Sequence, residues 1–151
     1  MKQVTKILVA IDGSEESFRA SDFALDLAKK YDANVILLSV VPSEIKHGDS
    51  SGIFGLVPAG YLKKYQEDSE RWFDEIRNKR GESINASLKI DAEIITTPVS
   101  IVGGILEYAE NKKVDIIVIG STGKTGFKKL LLGSIATGVV TYSPCPVFVV
   151  K

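Results

Sequence analysis

The chain has 151 residues, 44% of them hydrophobic and 25% charged, with 19 basic against 19 acidic side chains. That length suits one domain spanning residues 1–151, and zero net charge argues against nucleic-acid or polyanion binding, which needs a basic excess. A lone cysteine, Cys145, excludes an internal disulfide, and MKQVTKILVAID holds no apolar segment long enough for a signal peptide or membrane span, so a cytoplasmic protein without a membrane partner is expected.

In chain order, Ile7 to Ile11 reads as a first strand, and Asp12-Gly13-Ser14 turns into a helix with Ser14 as N-cap and Glu15 and Glu16 in its first turn. Phe18, Ala24, Leu25, Ala28 and Tyr31 form the apolar stripe of that helix. Val35 to Val41 is a second apolar strand closed by Pro42. The segment 42–60 reads as a long loop with an apolar island at Ile53 to Val57, a candidate lid or partner contact, and it holds the only histidine, His47. Tyr61 to about Asn85 is a charged helix whose Leu62, Tyr65, Trp72, Phe73 and Ile76 recur near the helical period and read as core.

Ile90 to Thr97 is a third strand whose Asp91 and Glu93 suggest a sheet edge. Ile101 to Asn111 is a helix starting after Ser100, and Gly103-Gly104 in its first turns implies close approach of the backbone to a ligand or a strand. Val114 to Ile119 is a strand buried on both faces, Ile135 to about Tyr142 a short helix, and Pro146 to Val150 the last strand. Alternating strands and helices with apolar strands predict an α/β fold: an open five-stranded parallel sheet with helices on both faces.

The stretch VDIIVIGSTGKTGFKKLLLGS, Val114 to Ser134, carries the chemistry. It joins a buried strand to a glycine- and lysine-rich loop, with Ser134 where a helix begins. Glycines admit backbone N–H groups close to an anion, and lysines and a helix start add positive charge, so the stretch suits phosphate. Gly-Lys-Thr at 123 to 125 imitates the end of a Walker A loop, but position 118 is Val where that loop needs glycine. No G-x-G-x-x-G follows any strand either.

The spacing present is G-x2-G-x9-G-[ST], formed by Gly120, Gly123, Gly133 and Ser134. With the first strand, Asp12 and the closing PCPVFVV, it resembles the ATP-binding branch of the universal stress protein family. The resemblance implies strand order 3-2-1-4-5, a Rossmann-like, adenine nucleotide alpha hydrolase-like sheet, with the order reversing between the first and fourth strands. It implies candidate site residues at Ala10, Ile11 and Asp12, at Val40 and Val41, and at Gly120, Ser121, Gly123, Lys124, Gly133, Ser134, Ile135 and Ala136. Backbone near Ile11 and Val41 would hold adenine, Asp12 would lie by the adenosine part, and the glycine loop with the helix start would hold phosphates. Thr122 departs from the family pattern, where a bulky basic residue is frequent, and Lys124 is placed to compensate. The expected ligand is ATP with Mg²⁺ or Mn²⁺, and a homodimer is expected through the last strand, Pro146 to Val150.

No serine–histidine pair, activated cysteine or carboxylate pair accompanies the glycine loop, so nucleotide-dependent switching is the favoured function, with slow ATP hydrolysis the most that chemistry would allow. An adenylating enzyme of the ATP-pyrophosphatase type would read S-G-G-x-D-S after the first strand, where this chain reads Ile-Asp-Gly-Ser-Glu-Glu-Ser. A nucleotide-free dimerisation module is the other alternative, and such a module would lack the glycine spacing.

Overall fold

The computed structural model describes residues 2–43, 59–81, 87–122 and 132–151. Five strands, β1 (Lys6–Ala10), β2 (Asn34–Pro42), β3 (Ile90–Thr97), β4 (Ile116–Gly120) and β5 (Val147–Val150), pair in parallel in the order β3-β2-β1-β4-β5. Helices α1 (Glu15–Tyr31), α2 (Ala59–Gly81), α3 (Ile101–Asn111) and α4 (Ser134–Tyr142) supply the connections. The expected sheet and its 3-2-1-4-5 order are therefore what the chain adopts.

The central strands are apolar on both faces because both faces are covered. Ile7, Val9, Val35 and Leu37 pack with Ala24, Leu25, Trp72 and Phe73 of α1 and α2, whereas Leu8, Leu38, Ile117 and Ile119 pack with Ile105, Ala109 and Val139 of α3 and α4. Burying each large aliphatic side chain stabilises the fold by about 1.5–3 kcal/mol. β3, half-exposed along its length, and β5 are the two edges, and Lys89, Asp91, Glu93 and Lys112 place paired charges along the β3 side.

Helix α1 starts as its sequence dictates, with Ser14 accepting from the N–H of Ser17 at 3.1 Å. It ends at Asp32 in the left-handed conformation, and Tyr31 in its last turn is exposed, outside the buried stripe expected for it. In α3, Ser100 is the cap, and the glycine pair answers to packing: a Cβ on Gly104 would lie 2.9 Å from Val40 Cγ1 and 3.2 Å from Thr97 Cγ2. The helix backbone therefore lies directly on β2 and β3, so a strand, not a ligand, accounts for Gly104.

At the opposite end of the sheet from the carboxyl ends of the strands, Asp115 ties down the N-terminal segment. It receives the Thr5 N–H and hydroxyl at 2.9 Å and the Lys6 N–H at 3.0 Å, and pairs with Lys2 Nζ at 2.8 Å. Burial pushes its carboxyl pKa up, but these donors outweigh burial and hold it well below the usual carboxylate range.

Candidate functional site

The order reverses between β1 and β4, so the connections leaving their carboxyl ends diverge and leave a crevice between them. On the β1 side the ladder runs past the strand, with Ile11 N–H donating to Leu38 O at 2.8 Å. Asp12 follows in a tight turn, its Oδ1 accepting from Ser14 N at 2.9 Å and from Ser14 Oγ at 2.5 Å. Gly13 takes φ +80°, and a Cβ there would meet the Trp72 ring at 2.3 Å. Glycine is needed on both counts. The Asp12 carboxylate is thus held by its own turn, and Trp72 of α2 seats that turn from below.

On the β4 side, Gly120 ends the strand, and a Cβ there would lie 2.9 Å from the backbone carbon of Glu16. Close packing of α1 on β4 therefore accounts for this glycine, where sequence reasoning had assigned it to an approaching anion. Ser121 N–H donates to Val150 O at 2.8 Å, and its carbonyl accepts from Gly133 N–H at 2.7 Å. The Gly133 N–H, expected to contact phosphate, is used within the protein. Its φ of −58° is also open to any residue.

Helix α4 begins at Ser134, where the loop was expected to turn into a helix, with Gly133 as its N-cap and, among the described residues, no side-chain cap. Near its start Thr137 N–H donates to Gly133 O at 2.9 Å, and among the described residues no backbone carbonyl is paired with the N–H groups of Ser134, Ile135 and Ala136. The first turn carries no acidic residue.

Between these loops lies a cavity of about 560 Å³, within the range of small-ligand sites. Of the candidate residues, Ala10, Ile11, Asp12, Val40 and Gly120 line it, as do Gly133, Ser134, Ile135 and Ala136. Val41 does not: it is buried and, next to Val40 on β2, points to the other face of the sheet. Ser121 is turned to its backbone bonds and does not line the cavity either. Gly123 and Lys124 lie outside the described residues, as do His47 and the apolar island at 53–57.

The cavity also gathers residues that sequence reasoning had not assigned to a site. Ser14 and Ser17 come from the start of α1, and Ile101 and Ile105 come from α3. Tyr61 and Tyr65 come from the first turns of α2. Tyr65 belonged to the helix stripe read as core, and Trp72, Phe73 and Ile76 further along that stripe are indeed buried, whereas Tyr61 was not assigned to it. Burial raises the Tyr65 pKa above its ordinary value, a hydrogen bond with Ser39 opposes the shift, and the charge of Asp12 adds to it, so the hydroxyl stays protonated beside Asp12.

Among the described residues no group of three His, Cys, Asp or Glu side chains is placed to hold a metal ion, and no helix is long and apolar enough to cross a membrane.

The universal stress protein family profile matches residues 3–151. The chain belongs to the universal stress protein family. It is 37% identical to the universal stress protein YxiE of Bacillus subtilis, over 97% of this chain and 98% of that one. It is 34% identical to the universal stress protein MJ0531 of Methanocaldococcus jannaschii, over 97% of this chain and 81% of that protein. Among solved structures, the protein MJ0577 superposes with a TM-score of 0.78 at 29% identity, covering 99% and 97% of the two chains. More distant family members share the fold: the Archaeoglobus fulgidus protein in complex with dAMP (TM-score 0.70, 20% identity, 99% and 100% covered) and an Arabidopsis thaliana protein with AMP bound (TM-score 0.62, 18% identity, 97% and 91% covered). A further universal stress protein was solved in complex with cAMP (TM-score 0.73, 23% identity, 99% and 99% covered).

Proposed function

We propose that this universal stress protein binds an adenine nucleotide in the cavity between β1 and β4, with ATP as its ligand, and acts as a nucleotide-dependent switch. The observation that carries the reading is the start of α4, whose Ser134, Ile135 and Ala136 line the cavity and which, among the described residues, has neither a capping side chain nor an acidic residue in its first turn. Such a start attracts phosphate through its free donors and its partial positive charge. The rest of the cavity wall is largely apolar, and Asp12 and the protonated Tyr65 supply polar groups beside it, a combination suited to a base and a sugar. The adenine mononucleotides in related structures agree with this ligand class. The G-x2-G-x9-G-[ST] spacing, which resembles that of the family's ATP-binding branch, supports the triphosphate.

Mg²⁺ or Mn²⁺ accompanies ATP in this reading, held chiefly by the phosphates. We further propose one domain over residues 1–151, a cytoplasmic location, no nucleic-acid partner, and a homodimer formed by the apolar β5 edge meeting its copy. Calorimetry with ATP, AMP and adenosine tests the phosphate cradle. ATP is expected to bind most tightly, and equal affinities for ATP and adenosine would remove the proposal. A wild-type protein that sediments as a monomer at high concentration would remove the dimer.

A further inference from the structure

Tyr61 and Tyr65 stand one helical turn apart, so both rings project from the same side of α2, and both line the cavity. Their supports differ. Tyr65 is lodged: its ring meets Trp72 edge-on at 5.9 Å and 83°, its hydroxyl is hydrogen-bonded with Ser39, and Ser39 is itself bonded to Ser69 at 2.8 Å. Trp72 fills the space over Gly13, so this ring also braces the turn that carries Asp12. Tyr61 packs against Tyr65 at 6.1 Å with a 46° tilt, yet stays 46% exposed. A large ring supported from behind by a fixed aromatic neighbour and left open toward a cavity is a surface prepared for another flat group.

From this we infer that Tyr61 is a specificity-determining residue of the nucleotide site, stacking on the heteroaromatic base of the ligand, with Tyr65 and Trp72 as positioning residues behind it. The inference rests on the nucleotide reading given above. α2 covers one face of the sheet and α4 the other, so phosphates at the α4 start leave the base free to extend toward α2. There it is covered by the Tyr61 ring on one side and by Ile101 and Ile105 of α3 across the cavity. Stacking acts on the π face and leaves the base edges unread, so Tyr61 selects ligands that carry a base over ligands that do not.

The test is calorimetry on wild type, Tyr61→Ala, Tyr61→Leu and Tyr61→Phe, each with Mg-ATP and with inorganic tripolyphosphate, which has charge but no base. Tyr61→Ala is expected to weaken ATP about tenfold or more, as loss of one aromatic–base stack does. Tripolyphosphate binding should not change. Tyr61→Phe should restore ATP affinity to within about twofold, because the ring and not the hydroxyl makes the contact, and Tyr61→Leu should not restore it. Half-exposed as it is, Tyr61 can be replaced without unfolding the chain, which the melting temperature of each variant checks. Wild-type ATP affinity in Tyr61→Ala, an equal loss of tripolyphosphate, or a Leu variant as good as Phe would each overturn the inference. A wild-type protein that binds no ATP would instead overturn the proposed function.

Discussion

Helices α1 and α4 both start at the rim of the same cavity, and they treat their first N–H groups in opposite ways. At α1, Ser14 caps the Ser17 N–H, Asp12 holds Ser14, and Glu15 and Glu16 set two negative charges in the first turn. At α4 the cap is a glycine, the first turn is Ser-Ile-Ala, and among the described residues no side chain receives the leading N–H groups. The α1 start is satisfied from within and repels anions, whereas the α4 start is the one proposed above to receive the phosphates. Helix dipoles alone do not distinguish them. The difference lies in a few side chains, and in the proposed function it gives the cavity a direction, with the ligand's charge drawn to α4.

Making α4 resemble α1 should have the largest effect. In Gly133→Asp the extended backbone at 133 already suits an acidic cap, so the carboxylate takes the free N–H groups and repels phosphate. ATP affinity is expected to fall by about a hundredfold or more while the melting temperature holds or rises. Adenosine, tested on the same preparation, should bind as it does to wild type. Unchanged ATP binding in the folded variant would place the phosphates elsewhere.

Ser134→Pro takes a smaller step. Position 134 is the first of the helix, where proline is tolerated, and Gly133 already has the extended conformation that a following proline requires. One donor is removed without a charge being added, so ATP should weaken by about tenfold to a hundredfold, with folding unaffected. A drop in stability with no change in affinity would count against the comparison.

The N-terminal end of the sheet offers a control in which negative charge is already paired. The native Asp115 carboxyl is held far below its unfolded value, so its stabilisation is fully present above about pH 4 and is lost as pH falls toward the native pKa. Urea titrations should show Asp115→Asn less stable at neutral pH, by on the order of 1–2 kcal/mol, and losing less than wild type on acidification. ATP affinity should not change, since Asp115 lies at the far end of the strands. The smallest effect is expected at α1 itself. Ser14→Ala removes the cap and should lower stability by about 1 kcal/mol, read from the denaturation midpoint.

Local signals carried most of the fold. β3 and α3 occupy the residues that periodicity and Ser100 assign to them, because alternation and capping act within a few residues of chain. The Ser14 cap was legible for the same reason, being a bond between residues three apart. Strand order was not written in any period; it came from likeness to a family.

What tertiary structure decided lies where residues distant in the chain meet. Glycine at 120 and 104 was visible, but whether a ligand, a helix or a strand required it depended on Glu16 and on Val40 and Thr97, which only folding brings near. Gly133 looked like an anion donor, but its N–H is given to the Ser121 carbonyl, a partner that only folding brings near. Tyr61 and Tyr65 carried the same helical spacing as the buried Trp72 and Ile76, and no periodicity separates a ring that faces a core from one that faces a cavity. A sequence states which side of a helix is apolar; what stands opposite that side is fixed by the packing of the other elements.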